Sequence, residues 1–253
     1  MAKKSRRSTS VKKAAPHHVR GNVVHAGFED TNWHPLEEQI DRNRDQSYMK
    51  KVKPRTDGQR ALMEAIEQYN LTLAMGPAGS GKTYLAISAA VDALTAGKVE
   101  RIILSRPAME AGESLGYLPG DMHEKMAPYL RPLYDALGDR MGGKRVKQLL
   151  DDGTIEIAPV GFMRGRTLNN SFVVIDEAQN CTFVQLKMLL SRLGWHSTMV
   201  VTGDPNQSDL LDGMSGLSDI ARRLEAVQNI AVVRLQQCDI VRHPLVAEML
   251  EVL

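Results

Sequence analysis

The stretch Leu71-Thr72-Leu73-Ala74-Met75-Gly76-Pro77-Ala78-Gly79-Ser80-Gly81-Lys82-Thr83 decides how this chain is read. Leu71 to Met75 is a short apolar run of strand length, and it enters a turn that fills every specified position of the pattern G-x-x-x-x-G-K-[S/T]. Glycines at 76, 79 and 81 allow backbone angles that other residues avoid, so successive N–H groups can face one set of phosphate oxygens. The following segment, Thr83–Ala96, is rich in Ala and Leu with Gly97 placed to stop it, and a helix starting there adds its partial positive charge. Gly76, Pro77, Ala78, Gly79, Ser80, Gly81, Lys82, Thr83 and Tyr84 are therefore the candidate phosphate-binding residues. Lys82 is placed to reach β- and γ-phosphates, and the Thr83 hydroxyl to ligate Mg2+. A glycine-rich turn that merely contains a lysine is the bland alternative, and the strand before and helix after weigh against it.

Further apolar runs recur on both sides of this stretch. Strands are expected at 101–105, 155–158, 172–176, 198–202 and 230–235. Helices are expected after Thr56, at roughly 121–137, 143–152 and 215–227, from Thr182 to Gly194, and from His243 onward. Thr56-Asp57-Gly58-Gln59 and Thr182 with Gln185 have the form of capping boxes. Residues 106–120 read as a Gly- and Pro-studded loop. Continuous apolar strands alternating with helices predict an α/β fold: a mostly parallel sheet with helices on both faces. No internal repeat is evident.

Two more strand ends carry chemistry. Asp176-Glu177 closes the run Phe172-Val173-Val174-Ile175; behind a phosphate loop, Asp176 is the candidate Mg2+ ligand and Glu177 the candidate base for an attacking water. Val200-Val201-Thr202-Gly203-Asp204-Pro205-Asn206-Gln207 repeats the layout of an apolar strand with a polar tip, and Gln207 there could sense a γ-phosphate or orient water. An ordinary Asp-Pro-Asn turn is the competing reading of that tip. Three strand ends converging on one place is how open α/β sheets build sites.

Composition bounds the rest. The 253 residues are 43% hydrophobic and 25% charged, which excludes a wholly disordered or collagen-like chain. No apolar run approaches the ~20 residues that span a bilayer, so no membrane association and a cytoplasmic location are expected. Cys181 and Cys238 cannot form a zinc ligand set and suggest no disulfide framework. The net charge of +2 is uneven: residues 1–20 alone carry +7, leaving −5 for the remainder. Residues 1–53 read as a basic tail and linker, with a short helix around 36–44, and residues 54–253 as the organised domain.

The motifs together resemble the PhoH-like family of ATPases: Gly76–Thr83, Arg106-Pro107-Ala108, Gly116–Gly120, Met163–Leu168, Asp176–Asn180, Gly203-Asp204 and Val241-Arg242-His243-Pro244, in this order. The resemblance covers residues 54–253. It implies a RecA-like P-loop core related to superfamily 1 helicases, ATP hydrolysis with ATP and Mg2+, an RNA or single-stranded nucleic-acid context, and ring-shaped oligomers, hexamers. Some members carry a nuclease domain or work beside a separate endoribonuclease; no such domain is expected here, so RNA cleavage would need a partner. By motif position, Gln59, 17 residues before Gly76, matches a glutamine that reads the adenine edge, and its capping role stays open beside that. Gln179 is implied to couple nucleotide state to the polynucleotide surface, and Arg106 to begin a contact with the nucleic-acid backbone.

One P-loop and room for one core leave no second core to supply an arginine to the γ-phosphate. A neighbouring subunit is the natural donor, with Arg242, Arg164 and Arg166 as candidates, each equally readable as an ion-pair residue. Aromatic residues make up only 5%, so no stacking platform is evident, and the basic cluster Lys144, Arg145, Lys147 reads equally well as a solvated helix face. Three functions compete: an oligomeric ATPase acting on RNA, an ATP-gated scaffold for a nuclease partner without translocation, and a P-loop kinase for a small molecule.

Overall fold

The computed structural model describes residues 52–107, 122–211, 213–241 and 249. The basic tail, the short helix around 36–44, most of the loop over 106–120, Arg242 and the helix expected from His243 lie outside the described residues.

Strands β1 (Leu71–Met75), β2 (Arg101–Arg106), β3 (Ile155–Pro159), β4 (Ser171–Ile175), β5 (Thr198–Gly203) and β6 (Ile230–Arg234) form one sheet in the order β3-β2-β4-β5-β1-β6. Every adjacent pair is parallel. All six expected strands are present, and the sheet is parallel throughout rather than mostly so. β5 lies between β1 and β4, so the loop after β1 and the acids after β4 face each other across the end of a third strand.

Period-two alternation sends neighbouring side chains to opposite faces. Ala74, Ile102, Leu104, Phe172, Val174 and Val200 pack under α1 (Asp57–Gln68), α2 (Lys82–Thr95), α3 (Met122–Met141) and α4 (Gly143–Asp151). Leu71, Leu73, Met75, Ile103, Val173, Ile175, Met199 and Val201 pack on the other face, under α5 (Phe183–Leu190) and α6 (Leu217–Leu224). β1 and β4 are buried at every position, which is why both read as unbroken apolar runs. Each of these fully buried aliphatic side chains contributes about 1.5–3 kcal/mol of hydrophobic stabilisation.

Helix boundaries shift from expectation: α3 runs on to Met141, past the expected 137, and two helices are shorter than expected. α5 starts with the reciprocal capping box of Thr182 and Gln185, but it ends at Leu190 rather than running to Gly194. Gly194 instead serves a close backbone approach, since a Cβ there would lie 2.6 Å from the Leu168 carbonyl carbon. The N–H of Leu168 donates to the Arg192 carbonyl and that of Gly194 to the Leu168 carbonyl, so the chain leaves the helix early to pair with that strand entry. α6 is shorter at both ends than the expected 215–227; at its start, Gly216 lies against the Phe183 backbone before the helix begins.

Candidate active site

The site is built at the carboxyl ends of β1, β4 and β5. At the end of β1 the chain turns at Gly76 with φ +144°, and a Cβ at that position would lie 2.5 Å from the Leu235 carbonyl oxygen beyond β6. Only glycine fits such an approach. Gly81, with φ +86°, is the cap from which α2 starts at Lys82. The Lys82 ammonium folds back over the loop and donates to the carbonyls of Gly76 (2.6 Å) and Pro77 (2.8 Å). Burial pushes its pKa below the usual 10.5, against the opposing pull of Asp204, Glu177 and Asp176, whose charges favour the ammonium.

Asp176 follows β4 and is buried. Its Oδ1 accepts two hydroxyls, Thr83 Oγ1 at 2.6 Å from the start of α2 and Thr202 Oγ1 at 2.7 Å from β5. The structure thereby joins the phosphate loop to the acidic strand end by a direct hydrogen bond. Glu177 adopts a left-handed backbone (φ 53°, ψ 41°), which turns the chain away from the sheet. Its Oε2 accepts from Gln179 Nε2, while Gln179 Oε1 accepts from the backbone N–H of Asp204 at 3.0 Å. Gln179 is itself buried, so one amide ties the tips of β4 and β5 together. Next to it, Asn180 exchanges two hydrogen bonds of 2.8 Å with Asp209, fastening the loop after β5.

A cleft of about 300 Å³ opens over these groups, lined by Ala78, Gly79, Gly81, Lys82, Thr83, Tyr84, Asp176, Glu177, Gly203, Asp204 and Gln207. Most of the residues marked out by sequence thus surround one cavity. Tyr84 is partly exposed at its edge, and Gln207 is exposed on the β5 loop with its N–H bonded to the Asp204 carbonyl. Gln59 does not line the cleft. Its N–H caps α1 on Thr56 Oγ1, while its side-chain amide accepts from the Arg55 N–H at 2.9 Å and donates to the Ser80 carbonyl at 3.0 Å. The capping box expected at Thr56 is therefore half formed, and the Gln59 side chain braces the phosphate loop from behind.

The donor set suits a small hard cation. One hydroxyl and one carboxylate, both oxygen ligands, converge at Thr83 and Asp176, and Mg2+ is held by few protein oxygens together with substrate phosphates and water. Among the described residues, no group of three or more His, Cys, Asp or Glu is arranged to hold a metal unaided.

Several residues entered the site that sequence did not mark for these roles. Thr202 signalled itself as a hydroxyl at the tip of an apolar strand. Arg106 ends β2 and lies 3.6 Å from Asp176 Oδ2 and 3.5 Å from Glu177 Oε1, so its guanidinium faces the acid pair. Asp239 had no local signal at all. It accepts from the N–H groups of Gln236 (2.7 Å) and of Gly58 (3.2 Å), the latter 181 positions away. Of the arginines considered for a role between subunits, Arg166 is held by both oxygens of Glu156 at 2.5 and 2.7 Å. That bonding also keeps the Glu156 carboxyl below its usual range. Arg164 is exposed, as are Lys144 and Arg145 on α4.

Comparison with known proteins places this geometry. Residues 51–253 match the family described as PhoH-like protein. A PhoH-like protein of Bacillus subtilis (strain 168) is 50% identical over 216 residues, which cover 85% of this chain and 67% of that protein. Protein PhoH of Escherichia coli (strain K12) is 44% identical over 211 residues, covering 82% of this chain and 60% of that one. Both relatives are thus considerably longer. Among solved structures, the large terminase from a thermophilic bacteriophage aligns over 79% of this chain and 50% of its own length, with a TM-score of 0.50 at 10% identity, a likeness of fold alone. Among the described residues no helix is long and apolar enough to cross a membrane. The sheet order, the strand-end site and the match across residues 51–253 agree: the chain has a RecA-like P-loop fold and belongs to the PhoH-like protein family of P-loop ATPases.

Proposed function

We propose that residues 54–253 form an ATPase domain that hydrolyses ATP with Mg2+, and that turnover is coupled to binding or remodelling RNA or another single-stranded nucleic acid. The observation that carries this reading is the convergence of Lys82, Thr83, Asp176 and Glu177 on one cleft, with Thr83 and Asp176 in direct hydrogen-bond contact.

In this reading the backbone N–H groups from Ala78 to Tyr84 cradle the phosphates, with Gly76 and Pro77 shaping the turn, and Lys82 leaves the loop carbonyls to meet the β- and γ-phosphate oxygens. Thr83 and Asp176 hold the ion, with Thr202 fixing the carboxylate. An Mg2+ ion held there would supply positive charge to offset that of the phosphates. Glu177 orients the attacking water and accepts its proton as the bond from the γ-phosphorus to ADP breaks, giving ADP and inorganic phosphate. Gln207 reports on the γ-phosphate from the β5 tip. Gln59, implied by resemblance to read the adenine edge, also steadies the loop through Ser80. An arginine from a neighbouring subunit, Arg242 or Arg164, completes the site in a hexameric ring; Arg166 is less suited because Glu156 already holds it. Residues 1–53 are a basic tail outside this domain, and a separate endoribonuclease is the partner that RNA cleavage would require. A cytoplasmic location fits this set of ligands.

The test is the Mg2+-dependent ATPase rate with and without single-stranded RNA, alongside a native mass measurement. RNA-stimulated turnover by an oligomer, lost with Lys82→Ala, is expected. A monomer whose turnover ignores RNA would refute the coupling, and a phosphorylated product other than inorganic phosphate would return the kinase reading.

A further inference from the structure

The acid pair has a third neighbour besides the hydroxyls and the Gln179 amide. β2 lies directly beside β4, with Ser105 opposite Ile175, so the last residue of β2 arrives level with Asp176 and Glu177. That residue is Arg106. Its Nη1 lies 3.6 Å from Asp176 Oδ2 and its Nη2 3.5 Å from Glu177 Oε1, while the other Glu177 oxygen accepts from Gln179. Both oxygens of the candidate base therefore face protein donors in this arrangement.

The two sides of that grip differ in kind. Gln179 is buried and fixed at its other end to Asp204. Arg106 spans two acids at distances beyond an ordinary hydrogen bond, and its side chain is 21% exposed. A guanidinium shared so loosely can be drawn off by a better anion, and a phosphodiester oxygen pair matches its planar fork.

We infer that Arg106 is a positioning residue that restrains Glu177, and that the phosphate backbone of a single-stranded nucleic acid releases the restraint by taking the guanidinium. Paired, Arg106 holds the Glu177 carboxylate beside Asp176 and the end of β2. Unpaired, it leaves Oε1 free to orient water toward a γ-phosphate. The inference rests on the nucleotide-hydrolase reading and adds to it the residue through which a polyanion would act.

The experiment compares the full wild-type chain with Arg106→Gln and Arg106→Lys in steady-state ATP hydrolysis, with and without polyuridylate, and measures nucleotide binding to each. Arg106→Gln is expected to raise basal kcat about two- to fivefold, the rate equivalent of a solvent-accessible ion pair, with KM unchanged and little further stimulation by polyuridylate. Arg106→Lys keeps a positive charge beside Glu177 and is expected to return basal kcat toward wild type. Basal kcat that is unchanged or lower in Arg106→Gln with nucleotide affinity intact would overturn the inference. So would loss of nucleotide binding in that variant, which would make Arg106 a structural residue. Wild-type protein that hydrolyses no ATP would instead refute the underlying functional reading.

Discussion

Asp239 is the residue whose removal should most clearly expose how the site is held together. It closes the short turn Gln237–Asp239 after β6 and is 4% exposed. Its carboxylate accepts from the N–H of Gln236 at 2.7 Å and from that of Gly58, in the first turn of α1, at 3.2 Å. The approach is so close that a Cβ on Gly58 would lie 2.3 Å from Asp239 Oδ2. Both elements it joins touch the phosphate loop, α1 through Gln59 on the Ser80 carbonyl and the post-β6 segment through the Val241 N–H on the Gly79 carbonyl at 3.0 Å. Asp239→Ala removes the charge-assisted bonds from Gln236, Thr56 and Gly58, together about 2–3 kcal/mol, and about 0.3–1 kcal/mol of favourable charge at the helix start. A loss of that size should lower the melting temperature by about 5–15 °C in calorimetry at neutral pH. The contribution has a defined pH sense. The bond from Gln236, then those from Thr56 and Gly58, hold the Asp239 carboxyl below its usual 3.8 in the folded protein. The unfolded chain therefore binds the proton first, so the stabilisation is present above the unfolded value and is lost as pH falls through the folded one. The gap in melting temperature between wild type and variant should accordingly be full near neutrality and shrink in acid below about pH 4. A variant melting within about 1 °C of wild type at neutral pH would refute the reasoning.

Thr202→Val keeps the shape of a fully buried side chain but removes a bond to a charged acceptor worth about 1.5–3 kcal/mol. Titrating Mg2+ against turnover should show a weaker apparent affinity for the ion, and an unchanged curve would mean Thr202 does not position Asp176. Gly81→Ala places a Cβ at φ +86° and 3.2 Å from Gln59 Nε2, so strain of about 1–2 kcal/mol should appear as a lower melting temperature and weaker nucleotide binding. Because burial lowers the Lys82 pKa below 10.5, nucleotide binding should weaken in the alkaline range before an ordinary lysine would deprotonate. A triphosphate favours the ammonium, so calorimetry in buffers of different ionisation heat should register proton uptake there. Binding without pH dependence up to 10.5 would separate Lys82 from the phosphates.

What the sequence made legible was whatever is local or periodic. The P-loop from Gly76 to Thr83, the six strands and the Thr182–Gln185 box each announce themselves within a few residues. The parallel sheet followed from strands that are apolar on both faces. Contacts between distant segments left no such trace. Gln59 kept two readings in sequence because its N–H caps α1 while its amide bonds to Ser80, and only tertiary structure separates the two groups. Gly194 looked like a helix stop, but its lack of a side chain serves packing against Leu168, which ends α5 a turn early. Arg106 and Asp239 owe their roles to strand order and to a hydrogen bond spanning 181 positions, neither of which spacing encodes. Thr202 was readable in principle, since a hydroxyl closing an apolar strand beside a candidate metal ligand calls for a partner.

Glu177→Gln tests the central claim most directly, because the amide keeps the size of the side chain while losing the ability to accept a proton. Measured together, ATP binding and Mg2+-dependent hydrolysis should diverge: affinity close to wild type, with turnover reduced about 100-fold or more. Hydrolysis at the wild-type rate in that variant would contradict the account.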